Sequence, residues 1–193
     1  VGGLGVMVNE LTVTLAQLGQ EVIVISPYYD RNRKGEQGYL KKDGIEWKFN
    51  VEVSLGHIGL VTVGVHEGVV DGVKLWFLHH AGYFPNPYPD FQPAMSVGYL
   101  SIFARASLEV LCHQRKIPSV IATNDWSCGF VAAYAKEGAF GSVFNNTTFF
   151  HIVHNLDESY EGRVHCHGQD VGRIHCLRTE LVQEPHHHHP PLN

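Results

Sequence analysis

The sequence has few cysteines, no long apolar run and no excess of basic residues. Its four cysteines are too few and too scattered for a disulfide framework, so reduced thiols in a cytosol-like compartment are the default. A formal net charge of -5 argues against a nucleic-acid or anionic-membrane surface as the main role. No run is long enough to cross a bilayer and no signal peptide is visible, so no membrane association is predicted.

What remains is the composition of an ordinary folded domain. At 193 residues the chain can bury a sizeable core, and its apolar fraction is 44%. Hydrophobic periodicity fades from Glu161, where Gly, His and Cys dominate. We therefore expect one domain over residues 1–160 and a loop-rich or disordered tail over residues 161–193.

The chain begins with a glycine-rich stretch, Val1-Gly2-Gly3-Leu4-Gly5, that runs straight into a helical pattern. Small residues at a helix start let backbone N–H groups approach an anion, which the helix dipole also favours. Such a phosphate-binding turn normally follows a β-strand, and none precedes it here, so the domain is expected to lack its first strand. Taken alone, the glycines would indicate only a tight turn and close packing.

Hydrophobic periodicity predicts an α/β fold, a Rossmann-like parallel sheet with an antiparallel or mixed β insertion. The predicted elements, in order, are a helix at 4–18 capped by Gly19, a strand at 22–25, an exposed loop at 28–44, strands at 45–55, 61–65 and 73–78 with a turn at Asp71-Gly72, a helix at 100–111, a strand at 120–122, a helix at 127–137 and a strand at 149–153. The strand–helix alternation in the second half implies right-handed parallel connections.

Two predicted strands end on polar residues. One leads into Asn124-Asp125-Trp126 and the other into His154-Asn155-Leu156. Because ligands of open parallel sheets sit beyond the carboxyl ends of the strands, both groups are expected to face one cleft with Gly2 and Gly3. Taken alone, Asp125 would be a helix N-cap and His154 a hydrogen-bonded histidine at a strand end. Their co-occurrence favours a shared site.

Five segments, in order, resemble bacterial glycogen synthases and plant starch synthases over roughly residues 1–160. The three segments above match that family's Lys-x-Gly-Gly-Leu turn, its His-Asp-Trp or Asn-Asp-Trp triplet and its Ile-His-Asn-Leu segment. Tyr83-Phe84-Pro85-Asn86-Pro87-Tyr88 resembles its proline-rich loop, and Phe103-Ala104-Arg105-Ala106-Ser107-Leu108-Glu109 resembles its following helix.

The resemblance implies the N-terminal half of a GT-B glycosyltransferase, truncated at both ends, in which two Rossmann-like domains face each other across a cleft. It implies transfer of glucose from ADP-glucose or UDP-glucose to the non-reducing end of an α-1,4-glucan, with retention and without metal or cofactor. The missing C-terminal domain of the same protein would be a partner, whereas nucleic acid and membrane would not. Its location would be cytoplasmic, or plastidic if a transit peptide was lost with the N-terminus.

The same resemblance assigns the site residues. His154 and Asp125 would be catalytic, with His154 orienting or stabilising the reacting sugar and Asp125 binding sugar hydroxyls. Asn155 would add a hydrogen bond to the substrate. Trp126 is assigned to the substrate site as well, more by packing the helix behind it than by direct contact.

Three departures from the family pattern bear on activity. Gly2 and Gly3 suit the donor phosphates, but the lysine that precedes this turn in the family is absent. Val6 stands where many members have an acidic residue. The glutamate and basic residues of the C-terminal domain are absent too, so the isolated chain is expected not to catalyse transfer.

Alternatives remain open beside this interpretation. One is a non-catalytic carbohydrate-binding or pseudoenzyme domain, and another is a different GT-B sugar-nucleotide transferase. A nicotinamide dehydrogenase is disfavoured because the sequence lacks Gly-x-Gly-x-x-Gly. Histidines and cysteines at 165–167 and 175–176 offer soft ligands, but their spacing fits no standard zinc module, so no metal site is predicted. His186–His189 could bind nickel or zinc weakly or be the remains of a tag.

Overall fold

The computed structural model describes residues 2–29, 44–56, 59–85, 93–136 and 139–154. Its elements are α1 (Gly2–Gln17), β1 (Ile23–Pro27), β2 (Glu46–Leu55), β3 (Gly59–Val70), β4 (Val73–His79), α2 (Pro93–His113), β5 (Val120–Asn124), a 3₁₀ turn (Trp126–Cys128), α3 (Phe130–Lys136) and β6 (Thr148–Ile152). The predicted α/β class is confirmed. The predicted tail and most of the predicted loop at 28–44 lie outside the described residues.

The first sheet is mixed and contains four strands in the order β1-β4-β3-β2. β1 runs parallel to β4, whereas β4, β3 and β2 are antiparallel to one another. Asp71 and Gly72 join β3 to β4 with φ angles of 50° and 80°. Positive φ at both positions matches the right-handed twist that a two-residue hairpin needs. The predicted mixed insertion and its turn are therefore confirmed.

β5 and β6 form a second, two-stranded parallel sheet. The 3₁₀ turn and α3 lie between them in the chain, as expected for a right-handed crossover. The sequence predicted a parallel sheet with an insertion. Among the described residues the strands form two separate sheets, and no pairing joins β1 to β5.

One hydrophobic core connects these elements. In β2, Val51, Val53 and Leu55 are buried while the residues between them are exposed, which is the period-2 pattern of a half-buried strand. From α2, Ile102 and Leu108 are completely buried in the same core. Helix α2 therefore holds the mixed sheet and the second half of the domain together.

Two helix ends direct the chain into strands of the sheets. After α1, Gly19 has φ 83° and its N–H donates to the Ala16 carbonyl at 2.9 Å. After α2, Arg115 has φ 52°, and the next N–H donates to the Leu111 carbonyl at 2.9 Å. Both are left-handed caps that satisfy otherwise unpaired helix carbonyls. The predicted cap at Gly19 is confirmed. Of the described helices, none combines the length and hydropathy that a bilayer crossing requires.

Candidate functional site

The chain leaves β5 through a strained residue, Asp125, whose φ is 56°. Left-handed backbone is costly for most residues, although aspartate tolerates it better than others. The Asp125 N–H donates to the Ile152 carbonyl at 2.8 Å, and its own carbonyl accepts from the Cys128 N–H at 3.1 Å. These bonds fix the end of β5 against the end of β6 and against the following 3₁₀ turn.

The Asp125 carboxylate reaches the end of β6. Its Oδ1 accepts a hydrogen bond from the backbone N–H of His154 at 2.7 Å. An N-cap side chain would instead accept from an N–H of the following helix, so this bond differs from the simple N-cap alternative. The His154 ring also turns towards β5, with Nε2 at 2.9 Å from Asn124 Oδ1. We refer to these three residues as the Asn124–Asp125–His154 group.

The ring contact defines the tautomer of His154. An amide oxygen only accepts, so Nε2 donates, and Nδ1 is the acceptor nitrogen of the neutral ring. His154 is exposed, whereas Asn124 and Asp125 are half-buried. The group therefore offers solvent a proton acceptor and a carboxylate held in fixed relative positions.

Hydrogen bonds beneath the group make its base rigid. The buried Thr123 hydroxyl lies 2.9 Å from His151 Nδ1 and 3.3 Å from the Phe150 carbonyl, so it links β5 to β6 one residue before Asn124.

Burial raises the pKa of the Cys128 thiol, and the Asp125 charge raises it further. This thiol stays protonated at neutral pH and is not a nucleophile of the site.

A second polar cluster follows β4 and was not identified from the sequence. His80 Nδ1 accepts the N–H groups of Gly82 at 3.2 Å and Tyr83 at 3.3 Å. Burial, and then the neighbouring His79, lower the pKa of His80 and favour its neutral form. The signal that could have found it is the one that identified His154, a histidine directly after an apolar strand. Asn124 was likewise inside a quoted motif without a role.

The structure brings Asp125 and His154 together and treats the other candidates differently. Gly2 and Gly3 belong to the first turn of α1, where N–H groups have no partner within the helix. A Cβ at Gly3 would meet no atom within 4 Å, so that surface is open. Convergence of this turn with the Asn124–Asp125–His154 group stays a prediction.

The structure gives less information on Trp126 and Asn155. Trp126 is the first residue of the 3₁₀ turn, and Asn155 lies outside the described residues. Their roles stay predictions. The histidine and cysteine clusters after residue 160 also lie outside, and within the described ranges no group of three or more His, Cys, Asp or Glu side chains could hold a metal ion.

Replacing Asp125 tests how strongly it supports the strand ends. Asp125→Val removes the acceptor for the His154 N–H and puts a β-branched residue at left-handed φ. We expect it to lower the free energy of unfolding by about 2–3 kcal/mol. Asp125→Asn keeps both the acceptor and a tolerant backbone, so its stability should match the parent in denaturant titrations. Equal losses in both variants would show that the carboxylate charge, not the geometry, is what stabilises.

Comparison of folds defines the class of the domain. The chain is similar to the catalytic domain of starch synthase IV from Arabidopsis thaliana, bound there to ADP and acarbose, with a TM-score of 0.74 and 24% sequence identity. The match covers 96% of this chain and 36% of that one. The fold is thus that of the N-terminal part of a GT-B glycosyltransferase.

Sequence comparison identifies the family. The model of the starch synthase catalytic domain matches residues 1–188. A glycogen synthase of Streptococcus sanguinis is 31% identical over 161 residues, which are 81% of this chain and 32% of the relative. Another, from Finegoldia magna, is 29% identical over 165 residues, with 83% and 32% covered. The chain belongs to the starch synthase catalytic domain family, and it spans about a third of the length of these curated relatives, 32% in both.

Proposed function

We propose that this chain is the acceptor-side domain of a glucosyltransferase that moves glucose from ADP-glucose or UDP-glucose to the non-reducing end of an α-1,4-glucan, with retention. The observation that carries the proposal is the Asn124–Asp125–His154 group, held where two adjacent parallel strands end, in a chain of the starch synthase family. The carboxyl ends of parallel strands are where α/β folds bind ligands.

The chemistry of glucosyl transfer suits this group. The transition state has a sugar ring with oxocarbenium character and a departing diphosphate, so it is stabilised by hydrogen bonds at the sugar and positive potential at the phosphates. In the proposal, His154 contacts the reacting glucose. Asp125 uses Oδ1 for the His154 N–H, which leaves Oδ2 to accept from a sugar hydroxyl.

The remaining candidates complete the site. The N–H groups at Gly2 and Gly3, at the positive end of α1, are proposed to meet the donor phosphates. Asn155 adds a bond to the substrate, and Trp126 supports the site from behind. The other domain of the enzyme supplies most of the nucleotide site, in keeping with a chain that covers 32% of its relative's length.

The proposed domain also includes a strand that precedes α1 and lies between β1 and β5. Both strands have an edge that bonds to no other described strand. Their amino ends are nevertheless neighbours, because Lys116 Nζ, ahead of β5, donates to Glu21 Oε1, ahead of β1, at 2.7 Å. A parallel strand between β1 and β5 would join the two sheets into one.

A non-catalytic glucan-binding domain is the second candidate function, and α1 supports it. Its first turn contains no acidic residue, and Val6 is 57% exposed where many family members carry an acid. A domain that only holds glucan would not need a polar contact there. The two candidates differ in turnover by the complete protein, not in glucan binding by this chain.

Calorimetric titration of the isolated chain tests the binding roles. We expect maltoheptaose to bind with a dissociation constant of about 1 mM, and ADP-glucose to give no measurable heat at that concentration. Asp125→Asn removes the Oδ2 acceptor and should weaken the maltoheptaose signal, whereas His154→Ala should leave it nearly unchanged, because His154 is proposed to act on the reacting glucose in the transition state. Val69→Ser is the matched control, because Val69 is 64% exposed and pairs with Lys74 in the mixed sheet, not in the sheet of β5 and β6. A low-micromolar affinity for ADP-glucose would contradict the assignment of the nucleotide to the other domain.

A further inference from the structure

We propose that Asn124 is a positioning residue for His154: its side-chain amide holds the imidazole in one orientation and one tautomer, so that Nδ1 is presented to the substrate. This inference rests on the function proposed above. Asn124 would not itself touch the sugar. Its role is to determine which ring nitrogen of His154 contacts the sugar.

The register of the strands explains why these two side chains meet. Asn124 pairs with Ile152 at the end of the parallel ladder, and His154 lies two residues further along the same strand direction. β6 ends at Ile152 and the chain bends at His154, which leaves the Asn124 side chain within hydrogen-bond distance of the His154 ring. The last pair of the ladder, Asn124 and Ile152, therefore brings Asn124 close to the residue that follows β6 by two positions.

The left-handed backbone of Asp125 keeps Asn124 close to His154. At Asp125, with φ 56°, the chain leaves β5 for the 3₁₀ turn, while on the other side the chain continues past the end of β6 to His154. The Asp125 carboxylate then fixes the His154 backbone at 2.7 Å, and Asn124 Oδ1 fixes the ring at 2.9 Å. Two separate acceptors on adjacent residues hold one histidine at two points, which determines both its place and its rotation.

Rotation matters because His154 is exposed. An exposed ring without a partner samples several rotamers and both neutral tautomers, and only some of these present an acceptor to the sugar. Preorganisation of a catalytic group raises the rate by removing unproductive geometries before the substrate arrives. The amide of Asn124 supplies that restriction without adding charge.

Nuclear magnetic resonance on the full chain tests the contact without any need for activity. In Asn124→Asp, a carboxylate oxygen accepts from Nε2 in place of the amide oxygen, so the ¹⁵N shifts of the neutral ring should still report a single tautomer with the proton on Nε2. In Asn124→Ala, the ¹⁵N shifts of the neutral ring should move towards a mixture of tautomers. Thr123→Val is the matched control: it removes the bond between the same strands to His151 and should lower the thermal midpoint while leaving the His154 resonances unchanged. His154 ¹⁵N shifts in Asn124→Ala that are identical to those of the parent would overturn the proposal.

Kinetics of the complete synthase then test whether the contact acts on catalysis. Asn124→Ala should lower kcat about 10-fold with little change in KM for the sugar nucleotide. Asn124→Asp keeps the acceptor oxygen, so it should fold even if the alanine variant does not. In a His154→Ala background, Asn124→Ala should have no further effect, because its action runs through that ring. An equal loss in both backgrounds would refute positioning, whereas normal turnover of His154→Ala alone would refute the proposed function and not the contact.

Discussion

On the proposed function, replacing His154 by alanine in the complete protein is expected to lower kcat by about 100- to 1,000-fold, with KM for the sugar nucleotide nearly unchanged. A hydrogen bond that is stronger in the transition state than in the ground state changes turnover and not substrate binding. In a site closed to water, such a bond contributes about 2.7–4 kcal/mol to transition-state stability. Steady-state kinetics with ADP-glucose, and then UDP-glucose, would measure the change and identify the donor.

The structure makes this a clean substitution. The bond to Asp125 comes from the His154 backbone N–H, which alanine keeps. The lost ring contact is an exposed one, so the free energy of unfolding should fall by less than about 1 kcal/mol. His151→Ala is a matched control: this histidine lies on β6 and contacts Thr123 below the group, and its removal should leave kcat near normal. Unchanged turnover of His154→Ala per folded molecule, with a lowered thermal midpoint, would remove His154 from the catalytic residues.

The strand-end group could be predicted because it depends mainly on chain connectivity. Period-2 alternation predicted β2 and the hairpin at Asp71-Gly72, and apolar runs predicted β5 and β6. Once two strands are parallel, whatever follows each of them must emerge at the same edge. That rule is sufficient to bring Asp125 and His154 together, and the structure confirms it for these two residues.

The details within the group could not be predicted in this way. The left-handed φ of Asp125 and the choice of Nε2 as donor depend on long-range contacts between β5 and β6, which leave no local pattern. The predicted start of α2 was wrong for a different reason. The helix predicted at 100–111 begins at Pro93, because proline favours the first helical position although Gly98 interrupts the apolar pattern.

The surroundings of Arg105 could not be predicted from the sequence either, since an arginine within a helix usually faces water. Here its side chain is 12% exposed and its Nη2 lies 3.3 Å from Glu109 Oε1. The guanidinium carbon lies 4.7 Å from the Phe140 ring centre and 5.5 Å from that of Tyr134. Arg105 thereby ties α2 to α3 and to the segment that leads into β6, the strand that is followed by His154.

Removing this cation is expected to be one of the most destabilising single changes in the domain. Arg105→Ala should lower the free energy of unfolding by about 3 kcal/mol at pH 7. Glu109 would lose its counter-ion, and two aromatic rings would lose their packing partner. Urea titration followed by circular dichroism would measure the loss. Arg105→Met keeps most of the volume, so the difference between the two variants isolates the packing contribution.

The part of this stabilisation that comes from the ion pair of Arg105 with Glu109 should disappear on acidification. Burial raises the pKa of Glu109, and the Arg105 charge opposes that rise. A pKa raised in the folded state means that the stability linked to the group is complete below its unfolded pKa and is lost as pH rises through the folded pKa. Without Arg105 the pKa of Glu109 rises further, so Arg105→Met should lose more stability at pH 7 than at pH 4, near the ordinary carboxyl range of about 4.3. Adding Glu109→Gln should restore stability at pH 7 and flatten the profile. A deficit of equal size at both pH values would show that Arg105 stabilises the core through its rings and not through Glu109.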